Sequence, residues 1–233
     1  MVKGINKTAI EWCDYTWNPI TGCLNKCPYC YARRIATRFA GTTAFPNGFK
    51  PTFRRDIIDS PFYIRHRHNK IFVCSMGELF MEDKETWTNE VLKTIGDCDR
   101  QTFILLTKQP QRLWMWSPFP DNCWVGASAT CESEVVDACR DLCNVQAPVK
   151  FLSLEPLLKW DKHKNMDWFR SALALGRIGW VIIGAQTQPY RPPKADHVVE
   201  ILSALAREGI PVFLKNNLKK ALELDELRQE WPA

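Results

Sequence analysis

Six short apolar runs, rich in β-branched and aromatic residues, recur along the chain at intervals of 21 to 32 residues. Most are followed by a polar turn and then by a stretch with helical hydrophobic periodicity. The runs are Ile71–Cys74, Phe103–Leu106, Trp124–Ala127, Lys150–Leu154, Trp180–Ile183 and Pro211–Leu214. This spacing matches a strand–helix unit, and strands that are apolar on both faces suit a parallel sheet covered by helices.

The repeated units predict an α/β fold in a single domain over residues 1–233. With a further strand near Tyr15–Thr21, about seven parallel strands favour a TIM-type full or partial barrel. A doubly wound open sheet is the alternative, but no glycine-rich dinucleotide motif follows any strand. The C-terminal residues 216–233 are predicted as a helical tail, with a short amphipathic helix at Leu218–Trp231. Other helices are predicted at Ala32–Phe39, Lys84–Ile95, Cys131–Cys143 and Asp196–Arg207.

The sequence lacks the features of a membrane or exported protein. No apolar run approaches the roughly 20 residues that cross a bilayer, and Met1–Trp17 has no apolar signal-peptide core. We therefore expect a cytoplasmic protein with no membrane partner. In a reducing compartment, clustered cysteines more often bind metal or carry out redox chemistry than form disulfides.

The net charge of +5 is distributed unevenly. Between Arg33 and Lys70 nine basic residues stand against two aspartates, a net charge of +7, which leaves −2 for the remaining chain. Six aromatic residues lie in the same segment, which we call the basic segment (residues 33–70). It is either a nucleic-acid-binding surface, with cations on phosphates and rings on bases, or a solvated insertion whose aromatic residues pack internally.

The strongest chemical signal is the C-x3-C-x2-C spacing of Cys23, Cys27 and Cys30. Three thiolates within eight residues, on a loop after a strand, can converge on one soft metal centre. On a four-iron cluster, three protein ligands leave one iron free to bind another molecule. Such an open iron is what a catalytic cluster requires, in contrast to an electron-carrying one.

This spacing, with an aromatic residue before the last cysteine, resembles the radical S-adenosylmethionine superfamily, whose fold is a full or partial βα barrel. The resemblance implies a [4Fe–4S] cluster on the three cysteines, S-adenosylmethionine on the free iron, and Tyr29 near its adenine. Gly77 and Glu78 take the place of the segment that holds the methionine amino group, although Met76 replaces the usual first glycine. A flavodoxin- or ferredoxin-type donor would supply the electron that generates a 5′-deoxyadenosyl radical, which removes hydrogen from a substrate.

A narrower resemblance covers most of the chain. The segments Ile10–Trp12, Thr16–Pro19, Thr21–Cys23, Phe151–Leu158 and Trp180–Gly184 are similar to a phage-associated family of three-Cys-motif proteins. A phage-encoded protein would act in the host cytoplasm. Because phages modify their DNA bases, the hypothesis for the substrate is a modified pyrimidine in DNA, flipped from the duplex and altered by an isomerase. A free nucleotide or a small purine-like metabolite is the alternative.

Polar residues stand at nearly every predicted strand exit, where the active sites of parallel barrels lie. We expect Lys108, Glu155 and Lys215 to take part in catalysis. The residues expected to bind S-adenosylmethionine or substrate are Tyr29, Ser75, Gly77, Glu78, Ser128, Gln186 and Asn217.

Other interpretations of the cysteines stay open. Cys27 and Cys30 alone match a glutaredoxin-like redox pair. A structural zinc site could recruit Cys13 as a fourth ligand, which would make the chain a zinc- or nucleic-acid-binding module and no enzyme. A second cluster is also conceivable, although packing explains these residues more simply: Cys131, Cys139 and Cys143.

Overall fold

The computed structural model describes residues 2–161 and 165–233. Contacts between residues divide the chain into two compact units. Unit 1 consists of Met1–Gln109 and Phe119–Trp124, and unit 2 of Pro110–Pro118 and Val125–Ala233. Each unit combines mostly parallel strands with helices, so the predicted α/β class is confirmed.

Unit 1 contributes four sheet strands in the order β1-β2-β5-β6. Strand β1 is antiparallel to β2, whereas β2, β5 and β6 are parallel to one another. A second, two-stranded antiparallel sheet joins β3 to β4. The elements are β1 (Ile5–Lys7), β2 (Tyr15–Trp17), β3 (Ile20–Thr21), α1 (Tyr31–Arg38), β4 (Thr52–Phe53), β5 (Lys70–Val73), α2 (Glu85–Asp97) and β6 (Thr102–Thr107), with 3-10 turns at Arg55–Ile57 and Ser60–Tyr63.

Large buried side chains fix these strands. Trp17 of β2 and Phe103 of β6 are fully buried, with ring centroids 6.0 Å apart. The Trp17 indole Nε1 donates a hydrogen bond to the Ile57 carbonyl at 2.9 Å, so its one polar atom is satisfied inside the core. Helix α2 buries Val91 and Ile95. This packing holds the carboxyl ends of β5 and β6, after which the polar site residues follow.

Unit 2 contributes sheet strands in the order β7-β8-β9-β12, and β8, β9 and β12 run parallel. Strands β10 and β11 form a separate antiparallel hairpin. The elements are β7 (Cys123–Ser128, of which the first two residues belong to unit 1), α3 (Glu132–Cys143), β8 (Val149–Leu154), α4 (Asp167–Gly176), β9 (Trp180–Ile183), β10 (Gln186–Thr187), β11 (Tyr190–Arg191), α5 (Ala195–Arg207), β12 (Val212–Leu214) and α6 (Lys219–Leu222), with 3-10 turns at Pro110–Trp116 and Asn216–Leu218.

A row of rings forms the core of this second unit. The centroid of the Trp180 ring lies 5.4 Å from that of Phe151 and 6.4 Å from that of Phe213, so three neighbouring parallel strands interlock. Helices α3 and α4 approach closely at Gly176, where a Cβ atom would lie 3.1 Å from the Cys139 Cα. The strands are thereby fixed with their carboxyl ends side by side.

The six predicted apolar runs coincide with strands β5 to β9 and β12, whereas the short strands β4, β10 and β11 were not predicted. The expected strand Tyr15–Thr21 is divided into β2 and β3, because Asn18 and Pro19 interrupt it and proline cannot donate to a sheet. Strand β1 and helix α4 were not predicted. Strand pairings within residues 2–161 and 165–233 do not close into a barrel, so a mostly parallel α/β sheet is established and barrel closure is not.

The prediction of a helical tail is wrong for most of its length. Helix α6 ends at Leu222, and Glu223 adopts a left-handed conformation at φ 51°. Beyond it the chain runs beside β12: Leu214 N–H donates to the Arg228 carbonyl at 2.8 Å, and Glu230 N–H donates to the Val212 carbonyl at 3.0 Å. The tail therefore pairs with the free edge of β12, which satisfies backbone groups that a continuous helix would leave exposed.

The helices of the described ranges are short. The longest, α2 and α5, have 13 residues each. None of those in the described ranges is long and apolar enough to cross a bilayer.

Candidate functional site

The three cysteines lie on a loop between β3 and α1, which we call the cysteine loop (Gly22–Cys30). At its start Gly22 has φ +82°, and a Cβ atom there would lie 2.4 Å from the Lys50 carbonyl oxygen. Gly22 N–H donates to the Met76 carbonyl at 2.9 Å, and Glu78 N–H donates back to the Gly22 carbonyl at 3.3 Å. The cysteine loop is therefore fastened to the segment that follows β5.

That segment, Ser75–Glu78, is held on its other side as well. The Asn18 Oδ1 atom accepts hydrogen bonds from the Ser75 hydroxyl at 3.1 Å and from the Met76 N–H at 2.9 Å. A Cβ atom on Gly77 would approach the Ile20 carbonyl oxygen to 2.8 Å. Glycine is thus required at position 77 for close backbone approach, whatever ligand it also contacts.

Two of the three thiols have backbone partners of their own. Cys30 precedes α1 as its N-cap, and its Sγ accepts a hydrogen bond from the Arg33 N–H at 3.3 Å. The Cys23 Sγ accepts from the Asn25 N–H at 3.2 Å. Burial raises the pKa of the Cys23 thiol to about 12, and the nearby Glu78, Cys27 and Cys30 act in the same direction. Cys23 is therefore protonated at neutral pH, and a metal that binds it must displace that proton.

Arg33 fastens the cysteine loop to the first turn of α1. Its guanidinium donates to the Asn25 carbonyl at 2.5 Å and makes a longer contact of 3.5 Å with the Cys27 carbonyl. The same group lies 5.4 Å from the centroid of the Phe49 ring. One side chain thus satisfies two loop carbonyls, which keeps the loop folded back on its helix.

Glu78 is the most buried charged group of this site, with 4% of its surface exposed. One carboxylate oxygen accepts from the Thr107 hydroxyl at 2.7 Å and from the Phe80 N–H at 3.1 Å. The other accepts from the Lys108 N–H at 3.2 Å and from the Asn25 side-chain amide at 3.4 Å. Burial raises the pKa of Glu78 above its ordinary value of 4.5, and these hydrogen bonds oppose the rise. Glu78 therefore joins the cysteine loop to the end of β6.

Unit 1 brings together most of the predicted cofactor-binding residues. Lys108 places its ammonium 5.3 Å from the centroid of the Tyr29 ring, a cation–π contact. Gln109 donates from its side-chain amide to the Asn25 Oδ1 at 3.0 Å, which extends the Glu78 network. The predicted residues gathered here are Cys23, Cys27, Cys30, Tyr29, Ser75, Gly77, Glu78 and Lys108.

Sequence reasoning missed the residues that connect this network. Asn25 lies inside the quoted cysteine motif, and Gln109 lies beside the predicted Lys108, so proximity to known candidates was the available signal. Asn18 and Arg33 carried no such signal, because their partners are distant in sequence or are backbone groups, and only the fold brings them close.

In unit 2 the site is an ion pair. The Lys215 Nζ lies 2.6 Å from a carboxylate oxygen of Glu155, and the two side chains are 14% and 21% exposed. Both pass over Gly184, where a Cβ atom would lie 2.9 Å from the Glu155 Cγ and 3.1 Å from the Lys215 Cδ. Glu155 follows β8, Gly184 follows β9 and Lys215 follows β12, so three parallel strands build this pair.

The other predicted residues of unit 2 lie at the same strand ends. Asn217 pairs its side-chain amide with the backbone of Ala185, both as donor and as acceptor, at 3.0 Å. The Gln186 amide donates to the Pro189 carbonyl at 2.9 Å within the β10–β11 hairpin. Ser128 is the last residue of β7. Gln186 and Asn217 are thus used by the local backbone.

The cysteine loop offers three free thiols, the ligand type that iron–sulfur clusters take from proteins. No three His, Cys, Asp or Glu side chains in the described ranges are arranged around a single metal ion. A four-iron cube is larger than one ion, so its thiolate ligands stand farther apart than those of a zinc ion. In addition, the buried Thr21 hydroxyl, two residues before Cys23, has no hydrogen-bond partner among the described residues. The three thiols are therefore the observation that bears on a cluster here.

The remaining cysteines have local partners or are buried. All ten cysteines are free thiols, so Cys27 and Cys30 are not joined in a disulfide. Cys13 is buried, and its Sγ contacts the Ile10 carbonyl at 3.8 Å. Burial raises the pKa of Cys139 to about 12. In the described ranges Cys13 is not part of a group of three side chains arranged around one metal ion, and the same holds for the three loop cysteines.

The basic segment does not form one surface. Arg65 and Arg67 precede β5, whereas helix α1 lies with the cysteine loop beside the segment that follows β5. Arg54 is paired with Asp56, and Arg55 with Glu90. The segment is thus divided between the two ends of β5, and part of its charge is neutralised.

The chain matches a known protein family over most of its length. Residues 7–223 match a family described as proteins of unknown function, DUF5131. The chain belongs to the DUF5131 family. The matched range includes the cysteine loop, the Glu78 network and the Glu155–Lys215 pair. No curated protein and no solved structure matches the chain significantly. Membership in DUF5131 carries no activity with it, so function is argued from the site.

Proposed function

We propose that this DUF5131 protein is a radical S-adenosylmethionine enzyme in which Cys23, Cys27 and Cys30 hold three irons of a [4Fe–4S] cluster. The observation that carries the proposal is the cysteine loop, a set of three thiols fastened to the segment after β5. When bound, the cluster and S-adenosylmethionine supply a one-electron cleavage that leads to removal of a hydrogen atom from a substrate. The partial βα barrel typical of the superfamily belongs to the same proposal.

The residues around the loop would orient the cofactor. Tyr29 presents a ring that could pack against adenine, with Lys108 on its face. Both oxygens of Glu78 already accept hydrogen bonds, so a methionine amino group bound there must replace one donor. The longest of these contacts, at 3.4 Å, is that of the Asn25 amide, which is therefore the donor we expect to be displaced.

In the proposal the Glu155–Lys215 pair of unit 2 contacts the substrate. At 2.6 Å each charge satisfies the other, and removing one leaves its partner poorly solvated. A substrate that binds here must therefore offer a donor to Glu155 and an acceptor to Lys215. Polar, hydrogen-bonding substrates are favoured over apolar ones.

The test is reductive cleavage of S-adenosylmethionine. The protein is reconstituted anaerobically with iron and sulfide, mixed with dithionite and S-adenosylmethionine, and assayed for 5′-deoxyadenosine. We expect product from the wild type and from Cys131→Ala, a half-buried cysteine outside the loop, and none from Cys27→Ala. A colourless protein that retains zinc and leaves S-adenosylmethionine intact would overturn the proposal and favour the zinc-binding module.

The substrate hypothesis, a modified pyrimidine in DNA, requires its own test, because the basic segment is divided between the two ends of β5. If DNA is the substrate, binding to duplex oligonucleotides should weaken steeply as salt rises, since each phosphate contact releases counterions. Binding that does not depend on salt, or no binding, contradicts the hypothesis and favours a small metabolite.

A further inference from the structure

Helix α1 leaves one of its sides uncovered. Ala32 and Ala36 are buried, whereas Tyr31, Ile35 and Phe39 are between 40% and 46% exposed. These three positions are spaced by four residues and therefore form one stripe along the helix. Exposed apolar side chains that lie next to one another are a feature of contact surfaces.

Two exposed arginines stand on the same helix as the stripe. Residues 15–55 contain no aspartate or glutamate, so the loop and helix that build this region have no acidic residue. Arg34 and Arg38 are exposed on α1, and neither forms an ion pair with the described residues. This differs from Arg33, which is bound to loop carbonyls. We call this region the α1 surface; its members are Leu24, Tyr31, Arg34, Ile35, Arg38 and Phe39.

The composition of the α1 surface fits a protein better than a nucleic acid. Single strands are bound by cations on phosphates and by aromatic rings under bases. Ile35 and the exposed Leu24 provide neither contact. Protein interfaces are enriched in aromatic residues and arginine and depleted in lysine and glutamate. Arginines that have no carboxylate partner on their own chain favour a partner with acidic residues.

The position of the α1 surface narrows the partner further. Cys30 is the N-cap of α1, and its Sγ accepts from the first-turn Arg33 N–H at 3.3 Å. The exposed stripe thus begins at the residue directly after a thiol of the cysteine loop. A partner docked on this helix would lie immediately beside whatever group the three thiols hold.

We propose that the α1 surface docks an acidic one-electron carrier protein of the flavodoxin or ferredoxin class. This inference rests on the proposed function, because the carrier would lose one electron to the group held by the three cysteines. Carrier complexes have small interfaces, and complementary charge raises the rate at which they form. An apolar stripe edged by two arginines that have no carboxylate partner among the described residues, one of them 5.5 Å from the centroid of the Phe39 ring, matches that design.

The experiment is a direct binding measurement with purified flavodoxin and, separately, a [2Fe–2S] ferredoxin, at low and at physiological salt. The double variant Arg34→Glu/Arg38→Glu should weaken binding of the preferred carrier by about tenfold or more, and salt should weaken wild-type binding. Phe39→Ala should weaken binding without a change of charge. The matched control is Arg65→Glu/Arg67→Glu, which makes the same charge change at the other end of β5 and should change binding less than about twofold.

The outcomes separate this inference from the proposed function. The iron and sulfide contents of each preparation are determined independently of binding. If protein without a cluster still binds the carrier through Arg34 and Arg38, the proposed function is wrong but the docking surface is not. No binding to either carrier, or equal loss in both double variants, overturns the docking surface. Single-stranded and duplex oligonucleotides are run alongside; if the Arg34/Arg38 variant loses only oligonucleotide binding, the α1 surface binds nucleic acid and the proposal is wrong.

Discussion

Glu78 in unit 1 and Glu155 in unit 2 each follow a parallel strand, but they are satisfied in different ways. Glu78 is buried among hydrogen-bond donors, and its closest partner is a neutral hydroxyl at 2.7 Å. Glu155 is partly exposed and faces an ammonium group at 2.6 Å. Burial accordingly raises the pKa of Glu78. A carboxylate held by neutral dipoles is suited to fixing structure, whereas an ion pair can open to exchange partners with a charged substrate.

The glycines beside these two sites, Gly22 and Gly184, also differ in what surrounds them. A side chain at Gly22 would collide with backbone, the Lys50 carbonyl, whereas one at Gly184 would meet the side chains of Glu155 and Lys215. Backbone cannot move aside, but side chains can change rotamer. The cysteine loop is therefore the more rigid of the two regions, and the ion pair is the more adaptable.

The largest effect that we expect is from Gly22→Ala. The new Cβ would combine a positive φ with a backbone clash, so the free energy of unfolding should fall by more than about 3 kcal/mol. Gly41→Ala is the matched control, because Gly41 has φ +84° and no atom within 4 Å of its Cβ position; it should cost about 1 kcal/mol. Chemical denaturation measures both. Equal losses would show that the loop is not clamped by Lys50.

The next effect concerns the ion pair. Lys215→Met should lower the free energy of unfolding by about 2 kcal/mol, because it leaves a half-buried carboxylate without its charged partner. The same change at an exposed pair, Arg55→Met opposite Glu90, where the side chains are 72% and 41% exposed, should cost less than about 1 kcal/mol. Double-mutant cycles with Glu155→Gln and Glu90→Gln isolate the two coupling energies. Comparable couplings would refute the distinction between the two regions.

The smallest effect is a pH dependence that belongs to Glu78. Because its pKa is raised in the folded protein, the folded state holds the proton more tightly than the unfolded state does. The resulting stability is present below the ordinary pKa of 4.5 and is lost as the pH rises through the folded value. Chemical denaturation across this pH range should show that the free energy of unfolding declines less steeply with rising pH in Glu78→Gln than in wild type. Glu82→Gln, at an exposed carboxylate four residues away, is the matched control for the loss of one carboxylate.

The local parts of this architecture could be predicted from sequence, and the long-range connections could not. The buried strands from β5 to β12 show in their apolar runs, and the cysteines show in their spacing, because both signals lie within a few residues. Strand β1 could not be predicted because Ile5 is its one buried residue, so it has no apolar run. The C-terminal tail was predicted as a helix because its hydrophobic pattern is amphipathic. Its conformation is instead decided by pairing with the edge of β12.

The same limit applies to the sites. Glu78 and Glu155 could be chosen because each stands at the exit of an apolar run. Their different surroundings depend on Thr107 in one case and Lys215 in the other, which are 29 and 60 residues away in the chain. No local pattern reports such distances, so a buried carboxylate and an ion pair look alike in the sequence.

The most direct test of the central claim is the iron and sulfide content of the protein after anaerobic reconstitution, with an electron paramagnetic resonance spectrum after reduction. We expect about four irons and four sulfides per chain. We also expect loss of this cluster in Cys23→Ala, Cys27→Ala and Cys30→Ala alike, with retention in Cys131→Ala and Cys143→Ala. A protein that binds one zinc ion or no metal, or that keeps its cluster when the cysteine loop is altered, would show that the three thiols do not hold a [4Fe–4S] cluster.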